Sequence, residues 1–175
     1  RDRLISLFKN NGIHDFQQRS INFNVLIDST GNKKKIPLVL TINNKDEKNE
    51  YSVKNINDIK IYVESLDELS NISSYTDSID FNGIRIYSKG NLNYSPRSLT
   101  EPIFFKKYQK FNENDKLLTS RYFSNLGAFK YPRIIVEEQK DSLNTSIYLV
   151  PRDRFSLGFD LDFTHSNIED FGISF

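Results

Sequence analysis

The chain has 175 residues, enough for one or two domains with ordinary cores. Its 24 basic and 23 acidic residues are interspersed and nearly cancel to +1, so no clustered positive face is offered to nucleic acid. With no Cys and only His14 and His165, the composition excludes disulfides, thiolate zinc sites and cysteine nucleophiles, and leaves little for a histidine-based metal site. The 14 Phe and 9 Tyr, with many β-branched residues, favour a sheet-rich fold. No apolar run is long enough for a membrane-spanning helix, and no signal peptide is visible. Arg1 falls inside a helical pattern and Phe175 inside a strand pattern, so the chain reads as a piece of something larger.

In chain order, Leu4, Leu7, Phe8 and Asn11 recur at helical spacing, and Gly12 sits where a helix ends in positive φ. Ile21, Phe23, Val25 and Ile27 alternate with Asn22 and Asn24, as a half-buried strand should. After turn chemistry over 28–34, Ile36, Leu38, Leu40 and Ile42 form a second strand, with Pro37 at its start. Residues 43–50 carry no apolar side chain and suit a linker. Residues 51–62 are ambiguous: Ile59, Ile61 and Val63 suggest a strand, whereas Asn57, Asp58 and the residues after Val63 could open a helix. Ile79, Phe81, Gly83 and 84–87 read as one strand. The stretch 96–111 reads as a helix with Pro102 in its first turn or at a kink. Asp115 is placed to cap the next helix, Leu117, Leu118, Arg121, Tyr122 and Leu126, which Gly127 closes. A link over 128–132 leads to a strand at Ile134, Ile135 and Val136, a turn over 139–144, and a strand over 147–150.

The order helix, glycine, strand, turn, strand therefore occurs twice, with Gly12 and Gly127 marking roughly equivalent positions. The second copy is preceded by a strand and a helix, giving β-α-α-β-β; the first is α-β-β alone. At the end of the chain Leu157, Phe159, Leu161 and Phe163 alternate with small or charged residues, and Phe171, Ile173 and Phe175 do so again. One wholly apolar face of this length fits either an ordinary antiparallel strand or a lipid-facing barrel strand.

These residues resemble the BamA/TamA family of outer-membrane assembly proteins, which string POTRA domains of β-α-α-β-β order in the periplasm before a membrane β-barrel. The carrying stretch is Leu118-Thr119-Ser120-Arg121-Tyr122-Phe123-Ser124-Asn125-Leu126-Gly127-Ala128-Phe129-Lys130, similar to the second POTRA helix and its Leu-Gly-x-Phe turn. Asn11-Gly12-Ile13 with Phe16 is a looser version, and Tyr94-Ser95-Pro96 to Leu99 resembles the lead-in to the first POTRA helix. Thr164-His165-Ser166-Asn167 looks like the barrel's opening strand in the TamL-like branch of Bacteroidetes. A Gly-Asn turn after the first strand is not clear, Lys89-Gly90-Asn91 being nearest, and the lipoprotein Cys of that branch is absent.

The resemblance implies an α+β fold of POTRA-like units, each a three-stranded mixed sheet backed by two helices, ending in the first strands of a truncated barrel. It divides the chain into a partial POTRA domain (1–43), a linker or insertion (44–78), a membrane-proximal POTRA domain (79–152) and the start of a barrel (153–175). It implies binding rather than catalysis, with no cofactor: unfolded outer-membrane proteins or accessory assembly lipoproteins would add to exposed strand edges in the periplasm. The edges it indicates are Ile21, Phe23, Val25 and Ile27, and Arg133, Ile134, Ile135, Val136 and Glu137. Leu157, Phe159, Leu161, Phe163, Phe171, Ile173 and Phe175 would face lipid in the outer membrane. The alternatives are a scaffold arm docking accessory lipoproteins without touching substrate, or an unrelated β-rich adhesin-like domain. Enzymatic readings are weaker. Asp160 with Asp162, Glu137 with Glu138, and Glu169 with Asp170 are paired carboxylates without a sugar-stacking cleft, and no Gly-x-Ser-x-Gly elbow or phosphate-binding glycine loop occurs.

Overall fold

The computed structural model describes residues 1–25, 37–46, 50–64, 75, 77–89, 92–152, 162–165 and 171–174. The fold is α+β, with a mixed sheet and few helices. Helix α1 (Asp2–Asn10) stops at the glycine that the pattern marks: Gly12 has φ +95°, and the Ile13 N–H returns to the Phe8 carbonyl at 3.1 Å. Phe8 stacks on buried Phe16 at 4.3 Å between centroids, and Phe16 meets Tyr51 at 4.9 Å. A 3-10 turn (Gln18–Ser20) delivers β1 (Ile21–Val25), which pairs antiparallel with β2 (Leu38–Ile42), Phe23 opposite Leu40. Ile21 is buried, but Leu38, Val39, Leu40 and Ile42 are all exposed, in keeping with a ribbon that has, among the described residues, no third strand beside it.

The main sheet has five strands in the order β4-β5-β3-β7-β6. Its centre is β3 (Asn55–Val63), parallel to both β5 (Ile84–Ser88) and β7 (Ser142–Pro151). Strand β4 (Asp77–Phe81) hairpins onto β5, and β6 (Phe129–Gln139) hairpins onto β7. One face of β3 and β7 carries Ile56, Ile59, Ile61, Leu143, Ile147 and Leu149, all essentially inaccessible. Against them pack Leu99 of α2 (Pro96–Thr100) and Phe123 of α3 (Glu113–Asn125). Fully burying each such side chain contributes about 1.5–3 kcal/mol, which places the structural weight of the fold on β3 and β7. A last pair, β8 (Asp162–His165) and β9 (Phe171–Ser174), is antiparallel, with Phe163 opposite Ile173.

Several expectations are corrected. The sheet is five-stranded rather than three-stranded. The strand that runs parallel to β7 is Asn55–Val63, inside the stretch expected to be linker or insertion, and not 79–87. Residues 79–87 are instead two strands, because Asn82-Gly83, with φ of 53° and 76°, is a two-residue hairpin turn. The helix expected over 96–111 ends at Thr100, since Pro102 brings no N–H with which to continue the ladder. The cap of α3 is Asn112 rather than Asp115: its side-chain oxygen accepts from the Asn114 N–H at 2.9 Å, while Asp115 lies in the first turn, where a carboxylate favours the helix N-terminus. The helix-glycine-hairpin order is nonetheless present at both places, with Gly127 at φ +66°.

Candidate functional site

Among the described residues β6 has a single strand neighbour, so its other side presents unpaired backbone groups. Which groups these are follows from the turn. Gln139 and Ser142 flank a two-residue loop and exchange both hydrogen bonds, so Glu137, Ile135 and Arg133 also point their N–H and C=O toward β7. The outward positions are therefore Ile134, Val136 and Glu138, each with one free donor and one free acceptor. Ile134 and Val136 lay their half-buried side chains on the core, whereas Arg133, Ile135 and Glu137 occupy the opposite face.

Both ends of this edge are bounded. Toward the start of β6 a bulge between Lys130 and Arg133 places Tyr131 and Pro132 opposite one residue of β7. Pro132 has no donor, and Tyr131, at φ 47° and 92% exposed, juts into solvent in a conformation that costs a non-glycine residue energy. Toward the hairpin, Glu138 is held by lysines. Lys54, only 7% exposed, puts its ammonium 3.1 Å from Glu138 Oε1, 3.4 Å from Asp141 Oδ1 and 3.5 Å from the Lys140 carbonyl, one acceptor for each of its three protons. The hydrogen bond to Glu138 raises the Lys54 pKa against the opposing effect of burial. Lys45 lies 3.8 Å from Glu138 and 2.5 Å from Asp15. Burial pushes the Asp15 carboxyl up, but the Lys45 hydrogen bond and neighbouring positive charge outweigh it and leave its pKa lowered.

This charged cluster joins the first copy of the helix-hairpin order to the second. The Lys54 N–H donates to the Gly12 carbonyl at 2.9 Å, and its own carbonyl accepts from Phe111 N–H at 3.0 Å. Asn10 Oδ1 accepts from Asn114 N–H at 3.1 Å, at the start of α3. Gly12 is required at this crossing: a Cβ would lie 2.7 Å from Val53 Cγ1 and 2.9 Å from Lys110 Cγ. His14 is packed beside the joint, edge-on to Phe111, with a buried Nδ1 that lacks a hydrogen-bond partner; burial lowers its pKa.

The sequence-proposed residues thus divide. Arg133, Ile134, Ile135, Val136 and Glu137 all lie on β6, although only Ile134 and Val136 turn their backbone outward. In β1 the Asn43 N–H to Ser20 carbonyl bond, 2.9 Å, fixes the same parity, and Ile21, Phe23 and Val25 point theirs outward. Ile27 lies outside the described residues, as do Leu157, Phe159, Leu161 and Phe175; Phe163 is in β8, and Phe171 and Ile173 are in β9. Sequence reasoning reached Glu138 only as one of a pair of carboxylates, and found neither Lys54, which has no local signal, nor a row of tyrosines on the sheet face away from Ile61 and Val63. There Tyr62 stacks between Tyr87 and Tyr148, 5.0 and 4.9 Å between centroids, and the Arg133 guanidinium covers Tyr148 at 5.0 Å. Of the carboxylate pairs, Glu137 and Glu138 project to opposite faces of β6. Among the described residues no group of three or more His, Asp or Glu is placed to hold a metal, and no helix is long and apolar enough to cross a membrane.

No protein-family model matches the chain, and no curated protein matches it in sequence. Among solved structures it is similar to POTRA1-3 of the periplasmic domain of Omp85 from Anabaena, at 10% identity and a TM-score of 0.34, covering 87% of this chain and 81% of that one.

Proposed function

We propose that this chain is a periplasmic POTRA-type region of an outer-membrane assembly factor of the BamA/TamA kind, in its TamL-like branch, that binds unfolded outer-membrane polypeptides by strand addition. The observation that carries the reading is the unpaired edge of β6 within the order β3-α2-α3-β6-β7, where β7 lies between β3 and β6. Ile134, Val136 and Glu138 offer main-chain hydrogen bonds that are indifferent to side-chain identity, which suits a factor that handles many different clients. In this reading the membrane-proximal unit runs from β3 to β7 with the β4–β5 hairpin inserted, residues 1–43 belong to a preceding unit, and 153–175 begin a barrel with Leu157 to Phe163 and Phe171 to Phe175 facing lipid. Accessory assembly lipoproteins are further partners.

A photoreactive residue at exposed Glu137 should crosslink to an unfolded outer-membrane polypeptide, and one at Asp80 on β4 should not. Crosslinking at Glu137 that survives Val136→Pro would remove the proposal.

A second reading, a rigid arm that docks accessory lipoproteins without touching substrate, is favoured by the cluster around Lys54, which braces the two halves against each other. Pulldown separates the two: the arm should retain lipoproteins and ignore unfolded barrel peptides.

A further inference from the structure

We propose that the groove between the β4–β5 hairpin and α2, about 740 Å³, binds a single acyl chain bearing an anionic head, as in a free fatty acid. The groove arises because the sheet is wider than its roof. Strands stand roughly 4.8 Å apart, so β5 and β4 extend well past β3, whereas α2 has only five residues and, though it reaches β4, is too short to roof both strands along their length. The floor is mostly apolar: Phe81, Ile84 and Ile103, with buried Ile59 and Phe105 beneath them and Asn82 and Thr100 beside them. A volume of this size lies within the range of small-molecule sites.

The rim selects the charge of the occupant. Arg97, Lys106 and Lys107 stand on it against one acid, Glu101. Lys107 is engaged by Asp58 at 3.1 Å and Arg97 lies 3.8 Å from Glu101. Lys106 is exposed and, among the described residues, has no carboxylate within ion-pairing distance of its ammonium. The floor selects the body. A peptide laid there would strip water from more amides than the lining can repay, since Asn82 is its one side-chain amide and Thr100 Oγ1 already donates within α2, to the Pro96 and Arg97 carbonyls. A hydrocarbon chain has no such groups to leave unsatisfied. This groove lies on the opposite side of β3 from β6, so the proposal stands or falls independently of strand addition.

The test uses the full chain with labelled isoleucine methyls, titrated with sodium decanoate and, separately, with 1-decanol. Decanoate should shift the methyls of Ile59, Ile84 and Ile103 saturably and leave Ile21 and Ile147 in place. Lys106→Glu should weaken this binding by about fivefold or more, as reversal of one exposed charge allows, and Glu101→Gln should strengthen it. Lys9→Glu, on α1, should change nothing. Absence of shifts at Ile84 and Ile103, or equal binding of decanol with no effect of Lys106→Glu, overturns the proposal. So does sedimentation with phosphatidylglycerol vesicles that depends on Lys106 in the absence of decanoate shifts, which would make the rim a bilayer contact.

Discussion

Proline scanning of two adjacent residues of β6 isolates the edge geometry. The Ile135 N–H points inward to the ladder with β7, opposite Ser146, whereas the Val136 N–H points out. Ile135→Pro removes a ladder donor, leaves the Ser146 carbonyl unpaired and forces a ring between two strands, at a cost of about 3 kcal/mol. Val136→Pro removes no intramolecular bond and loses only part of the packing of one half-buried side chain, about 1 kcal/mol. The restriction of φ is common to both and cancels in the comparison, leaving a difference of about 2 kcal/mol. With a urea dependence of about 2 kcal/mol per molar, the unfolding midpoint of the Ile135 variant should lie roughly 1 M below that of the Val136 variant. Client binding should behave differently from stability: Val136→Pro occupies the middle of the three outward positions and should reduce crosslinking at least tenfold in a protein that remains folded, on the order of losing one or two main-chain hydrogen bonds. Equal midpoints for the two variants would refute the assignment of parity. Full binding by the Val136 variant would refute use of the edge.

Other expectations follow from single sites. Gly12→Ala meets both a positive φ and two side chains closer than 3.0 Å and should cost about 3 kcal/mol, whereas Gly127→Ala meets only the positive φ, in open space, and should cost about 1 kcal/mol by the same denaturation assay. Thr145 Oγ1 is buried without a hydrogen-bond partner, so Thr145→Val should stabilise by about 1 kcal/mol; a loss instead would mean that the hydroxyl is satisfied in solution. His14 has its pKa lowered from 6.5, by burial first, so the unfolded chain takes up this proton at higher pH than the folded one. Its contribution is complete above 6.5 and is lost as pH falls through the depressed folded value; urea midpoints measured from about pH 7 down to about 5 should therefore decline more steeply in the native chain than in His14→Gln.

What could be read from the sequence was the local chemistry. Gly12 and Gly127 announced two helix ends, and Ile134 to Val150 announced a hairpin, because each signal lies within a few residues of its effect. Strand β3 stayed ambiguous for a physical reason: a bulge between Ile56 and Asp58 puts Ile56 and Ile59 on the same face at a spacing of three, which breaks the two-residue rhythm over its first half. Asn82-Gly83 was legible as a turn but lay inside an apolar alternation that masked it. The candidate edge on β6 was indicated by the resemblance and not by any local signal, and its limits were not legible at all. Those depend on Tyr131 and Pro132 bulging against β7 and on Lys54, 84 positions away in sequence, reaching Glu138.

The two rims of the main sheet are unlike, and this governs self-association. A fibre grows when one molecule's open rim accepts the opposite rim of the next, again and again. Here the far rim is β4, only five residues long and carrying exposed Asp77 and Asp80, so like charges would gather at every junction. The near rim has a short stretch of free amides stopped by a proline at one end. The main sheet can thus host one guest strand on β6 without its far rim offering a second site from which a polymer could propagate.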